Sequence, residues 1–269
     1  MSDPNSAVPP ATPMPPPPPP SMIAPPPGYV PYGNASLGSG VFKPIGTLSK
    51  ALVVLEIVAL VISAFALGLQ VALRSSARQY LDEVIDLQSF ENDARAYNAI
   101  SGLGSAIRLA AFVLLVIWSF RIAGNLIRLG RQQLTWKPGL TIVAWVLSPC
   151  TFGILAFFTL NEHWKASNPD HGPTDDSWTR DRSSPAVTTW FVLSVASILL
   201  GLVSALSLFA GFFRNSTNTD ANAKVLAESV TNQLPLLVIA GLVALASRAA
   251  LIVVIRQLAA RHAAVIREA

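Results

Sequence analysis

Beyond residue 45 the chain alternates between long apolar runs and polar stretches. Four runs, residues 51–73, 106–127, 186–212 and 234–255, each have the roughly 20 residues that a helix needs to cross about 30 Å of hydrocarbon. Each is predicted to be a membrane-spanning α-helix. A fifth run, residues 139–165, is broken near its middle by Pro149 and flanked by Lys137 and Lys165. It either crosses as a proline-kinked helix or enters and returns as a re-entrant hairpin. The pattern therefore predicts an all-α, polytopic transmembrane helical bundle with a proline-broken third apolar segment.

The polar stretches add to this outline. Tyr80, Val84, Leu87 and Phe90 recur at three- and four-residue spacing, which predicts an amphipathic helix continuing out of the bilayer. Its acids, Asp82, Glu83, Asp86, Glu91 and Asp93, would face water. Residues 214–233 form a second polar loop in the corresponding place of the last helical pair. Both pairs thus run span, polar loop, span, and they close on similar stretches, Ile117–Leu126 and Ile252–Arg261, with Arg121 and Arg256 at matching positions. An internal repeat of this kind places the two pairs in the same orientation.

Composition supports the membrane class. The chain is 52% hydrophobic and 13% charged, against about 25% charged residues in soluble domains. The net charge of +4 does not point to nucleic acid, because the Lys and Arg flank apolar runs and form no basic patch. The lipid bilayer is the expected partner. Cys150 is the single cysteine, so no intrachain disulfide is possible. No cleavable leader precedes the first run, which is expected to be retained as an anchor. Residues 1–45 hold fifteen of the 21 prolines. Proline lacks an amide proton and fixes its own φ, so these residues are expected to be a disordered tail rich in polyproline II. The tail is either a solvated spacer or, through Pro25–Tyr32, a docking strand for a protein partner with an aromatic groove. Residues 46–269 make up the membrane domain.

The charges also bear on the broken segment. With five crossings and a cytoplasmic N-terminus, seven Lys and Arg lie inside and ten outside. With four crossings and a hairpin, eleven lie inside and six outside, which is the asymmetry expected of cytoplasmic loops. Length agrees. Leu140–Ser148 makes about 14 Å of helix, enough to reach mid-bilayer, and Phe152–Lys165 can return. Ser148, Cys150 and Thr151 would supply polar atoms at the tip, where irregular backbone must be covered by protein or line a wet cavity. The expected location is a bacterial inner membrane with the N-terminus in the cytoplasm.

Ionisable residues inside apolar runs are the main candidates for function, because a charge in hydrocarbon is costly. Glu56 lies about 8 Å and Arg121 about 10 Å from the cytoplasmic side at 1.5 Å per residue, so an ion pair between them is expected. Arg248 is deeper. It either binds an anionic group from within the bundle, pairs with Glu56, or snorkels to the interface. Glu56, Arg121 and Arg248 are the candidate ligand-binding residues. Glu162, His163, Asp170 and His171 lack metal-ligand spacing and have no nucleophile beside them, so they are expected to serve as an interfacial anchor with Trp164. No metal, cofactor or enzymatic activity is expected. Gly102, Gly104, Gly124 and Gly130 are packing or turn positions.

The stretches "VIWSFRIAGNLIRLG" (Val116–Gly130), "LTWKPGLTIVAWVLSP" (Leu134–Pro149) and "LNEHWKASNPD" (Leu160–Asp170) resemble the bacterial membrane proteins grouped as domain of unknown function 4328. The resemblance rests on Trp118, Arg121, Asn125, Pro138, Gly139, Trp145, Pro149, Glu162, Trp164, Lys165, Ser167 and Pro169. His163 departs from it, standing where an apolar residue is expected. The resemblance implies a multipass membrane protein and carries no activity with it. The expected function is a structural module that recruits partners through its proline-rich tail, because polar residues within the spans are few. The alternative is a small transporter or channel built around Glu56, Arg121 and Arg248.

Overall fold

The computed structural model describes residues 42–131, 133–172, 175–215 and 219–268, with side chains described except at 206–215, 219, 267 and 268. The proline-rich tail up to residue 41 lies outside the described residues. Its last four residues, 42–45, are docked on the bundle: Ile45 is buried and Phe42 packs on the core.

Seven helices follow: α1 Gly46–Leu81, α2 Leu87–Arg128, α3 Pro138–Leu147, α4 Ile154–Ala166, α5 Pro185–Asn215, α6 Thr219–Asn232 and α7 Leu234–Glu268. Among the described residues there is no strand. α1, α2, α5 and α7 are long and apolar enough to cross a membrane. Within their apolar stretches only 11–22% of residues are buried inside the protein. Valines and leucines such as Val54, Val61, Leu109, Val192 and Leu242 point outward instead, which is the arrangement expected where the solvent is lipid.

The broken segment turns back. Pro138 occupies the first turn of α3, where its missing N–H leaves no bond unmade. Ser148 caps α3, and Pro149 opens a single 3-10 turn, Pro149–Thr151. Phe152 and Gly153 then take positive φ, 51° and 80°, and the chain reverses into α4. Glycine adopts this conformation without the Cβ conflict that other residues meet. Phe152 does not have that freedom, so the turn holds some strain. Both feet of the hairpin meet at the same level, where the Trp136 amide donates to Glu162 Oε1 at 2.8 Å. A kinked crossing helix would place these residues at opposite ends. The eleven-to-six distribution of charge and the geometry therefore agree.

α1 packs on α2 and α7, and α5 on α7; α3 packs on α2 and α4 on α5. The hairpin thus fills the gap between α2 and α5 and closes a ring of helices. Trp145 on α3 meets Trp190 on α5 with ring centres 6.3 Å apart, and Phe157 on α4 meets Phe191 at 4.6 Å. α7 approaches α1 closely at Gly241, where an added Cβ would stand 2.8 Å from Leu67 Cδ1.

Two sequence expectations are corrected at the end of the bundle away from the hairpin feet. The spacing of Tyr80, Val84, Leu87 and Phe90 does not mark one continuous helix. α1 stops at Leu81, Glu83 takes a φ of 58°, and Val84 is exposed. The periodicity arises because two helix ends meet: Tyr80 and Phe90 stack with centres 5.0 Å apart across the turn. Residues 219–232, expected as polar loop, are helix α6. Ala227 and Val230 are buried, with Ala223 and Leu226 packed beside them, against Leu73, Ala77 and Ala94. The Tyr80 hydroxyl donates to Asp220 Oδ1 at 2.6 Å and fastens α6 in place.

Candidate functional site

Glu56 belongs to the buried stripe of α1 with Leu52 and Ala59, positions that share one helical face. On α7, Ser247 and Leu251 are buried and Arg248 is partly so. The two faces bring Arg248 Nη1 to 3.0 Å from Glu56 Oε2. Glu56 therefore pairs with Arg248 and not with Arg121, which corrects the first pairing expected from sequence. Depth alone points to Arg121, since Arg248 is expected to lie deeper in its apolar run. Helix face decides between them. Arg121 flanks the buried stripe of Trp118, Ile122 and Asn125, and its Nη1 donates to the Pro44 carbonyl at 3.3 Å.

The ion pair sits in the wall of a cavity of about 420 Å³ lined by all the long helices and both hairpin helices. Its polar wall is Glu56, Arg108, Ser148, Ser194, Ser197, Ser247 and Arg248. Ser194 and Ser247 are bonded to each other at 2.8 Å. The apolar wall includes Phe112, Leu115, Trp145, Trp190 and Leu251. Of the three expected tip residues, Ser148 reaches this cavity and also accepts the Ala156 amide at 3.3 Å. Cys150 is exposed, and the Thr151 hydroxyl turns back to the Leu147 carbonyl at 3.2 Å. Arg121 is not part of the lining. Arg108, counted in sequence with the loop outside the second span, is part of it. Its place at the margin of an apolar run was the signal that could have singled it out.

The residues that carried the family resemblance gather mainly at the hairpin feet. Asn125 clamps the backbone of Lys43, accepting its amide at 3.0 Å and donating to its carbonyl at 2.9 Å. Asn125 also lies 3.3 Å from His262 Nε2, and His262 Nδ1 lies 3.0 Å from Ser167 Oγ. Trp118 donates to Ser49 Oγ at 2.8 Å. Trp164 receives Arg261 on its ring face at 4.4 Å, and Lys165 donates to the Thr179 carbonyl at 3.2 Å. These residues tie α1, α2, α4 and α7 into one joint. Pro138, Gly139 and Pro149 shape the hairpin, and Trp145 and Pro149 alone of the set line the cavity. His163, the departure from the pattern, is wholly buried, with Nδ1 3.4 Å from Ser119 Oγ.

Arg131 has no sequence signal beyond being basic, yet it organises the loop after α4. Its guanidinium donates to the carbonyls of Ala166, Asn168, His171, Gly172 and Asp175. In the same loop His171 lies between two carboxylates, with Nδ1 3.1 Å from Asp175 and Nε2 3.0 Å from Asp181. Both ring nitrogens can donate only in the charged imidazolium. Hydrogen bonding to Asp181 accordingly raises His171 above its ordinary range, against the opposing effect of burial, with Asp175 adding to the rise. Asp175 is lowered to about 2, chiefly by the Ser177 amide.

The fold and the site define a class: a helical bundle with four candidate membrane spans, closed by a broken hairpin beside a partly open cavity. The family model for the domain of unknown function DUF4328 matches residues 81–260, about two-thirds of the chain. The chain belongs to that family. The match includes Arg108 and Arg248 and begins after Glu56. No curated protein and no solved structure matches the chain.

Proposed function

We propose that the chain is a multipass protein of the bacterial inner membrane, with both termini in the cytoplasm, whose bundle binds a small ligand as part of a transporter or channel. The observation that carries this reading is the convergence of every span and the hairpin tip on one cavity that contains an intramembrane ion pair. Cavities of about 300–1,000 Å³ with a few polar groups in an apolar wall are typical of small-molecule sites. Charged side chains within spans commonly mark ligand or ion paths. The reading is of a binding module and not an enzyme. Of the sequence candidates, Glu56 and Arg248 belong to the site, and Arg121 is assigned to the joint at the hairpin feet.

Accessibility tests the reading. In a Cys150→Ser background, Ser197→Cys places a thiol in the cavity wall. A small charged methanethiosulfonate reagent is expected to modify it, and Ala244→Phe, which fills the cavity, is expected to slow the reaction at least tenfold. A thiol that stays inert from both sides of the membrane would make the cavity a sealed packing void and overturn the reading. The partner-recruiting alternative draws on the proline-rich composition of residues 1–41 and on the Asn125 clamp that anchors the following residues to the bundle.

A further inference from the structure

The charges in the cavity do not balance. Arg108 and Arg248 line it with Glu56, so two guanidiniums face one carboxylate. Glu56 is committed to Arg248 at 3.0 Å. Arg108 donates to Ser105 Oγ at 2.8 Å and takes part in none of the ion pairs among the described residues. Arg108 is exposed, so its guanidinium is open to a ligand entering the cavity. Its planar fork of N–H donors matches the oxygens of a carboxylate or phosphate. The rest of the wall is apolar and aromatic, from Phe112 and Leu115 to Trp145 and Trp190, and would cover a hydrocarbon chain.

Resting on the reading of this cavity as a binding site, we propose that its ligand is an amphipathic anion, an acidic head group held by Arg108 with its apolar body against the two tryptophans. An anionic phospholipid and a free long-chain carboxylate share this chemistry. The Glu56–Arg248 pair stays neutral as a unit and contributes a polar wall, and Arg108 supplies the charge that selects the head group. Ser197 and Ser148 add hydroxyls to the lining, from α5 and the hairpin tip.

Trp145 and Trp190 make binding visible by fluorescence quenching. The full chain, reconstituted in phosphatidylcholine nanodiscs, is titrated with dibromostearate, its methyl ester, or dibrominated phosphatidylglycerol. Saturable quenching by dibromostearate or the brominated lipid is expected, with the apparent Kd raised at least tenfold by Arg108→Gln and largely restored by Arg108→Lys. Arg78→Gln removes the same charge from a position that is exposed like Arg108 but off the cavity and is expected to change Kd less than twofold. Saturation by the brominated lipid identifies a phospholipid site; saturation by the free acid alone identifies a free amphiphile. Equal affinity for the methyl ester, or equal effects of Arg108→Gln and Arg78→Gln, overturns the anion assignment. If Ala244→Phe still abolishes such charge-blind binding, the cavity reading survives. Absence of quenching by every probe overturns the assignment, and together with an inert thiol at position 197 it overturns both.

Discussion

Glu56 sits five residues into an apolar run, where an uncompensated carboxylate would be costly. Arg248 compensates it at 3.0 Å, and the carboxylate is almost wholly enclosed. Such a pair contributes little net stability relative to apolar side chains of similar size, but breaking it strands a charge. Glu56→Gln or Arg248→Leu alone is therefore expected to cost about 3–5 kcal/mol. Glu56→Leu combined with Arg248→Leu should cost far less than the sum. Unfolding of the four proteins in mixed dodecyl maltoside and SDS completes the double-mutant cycle. Additive costs would mean that the two side chains are not coupled.

The loop that follows α4 gains its shape from Arg131 and from the imidazolium held between Asp175 and Asp181. Because His171 is raised in the folded loop, its contribution is fully present below its unfolded value near pH 6.5 and is lost as pH rises through the folded value. Asp175 is lowered to about 2. Its contribution is present above about pH 3.9 and is lost as pH falls through about 2. The loop is thus held most firmly between about pH 4 and 6.5. Hydrogen exchange of the Asp176–Arg180 turn, corrected for the intrinsic rate, should show protection that falls as pH rises above about 6.5. His171→Asn should flatten that profile. A profile unchanged by the substitution would assign the loop's order to Arg131 alone.

Across the whole molecule, the hairpin converts two helical pairs into a closed ring, because α3 packs on α2 and α4 on α5. It also brings residues 167–184 to the same end of the bundle as the start of α1, through Ser167–His262 and the Asn125 clamp on Lys43. A single cysteine introduced as Ser177→Cys in a Cys150→Ser background reports which side of the membrane that end faces. An impermeant maleimide is expected to label it only after cells are permeabilised. Labelling in intact cells would invert the proposed orientation while leaving the fold unchanged. The two pairs keep the layout suggested by the internal repeat, with α6 as an addition to the second. Arg256, like Arg121, is left outside the cavity lining.

The sequence by itself determined the four long apolar helices and the break at Pro149. Run lengths gave four candidate spans, Pro149 gave the break between α3 and α4, and the placement of lysines and arginines favoured the return over the crossing. These signals are local: apolar length, a missing amide proton and charge beside a boundary each act within a few residues. The same locality explains the omissions. α6 was legible at Ala223, Leu226, Ala227 and Val230, whose spacing marks one helical face, but the polar residues around them hid it. Tertiary structure decided which arginine meets Glu56, since depth pointed to Arg121 and helix face has meaning only once a neighbour is fixed. It also turned most of the family's marked residues into a joint at the hairpin feet, and it placed Arg108 in the cavity. A side chain's partners come from other helices, and no spacing along its own helix encodes them.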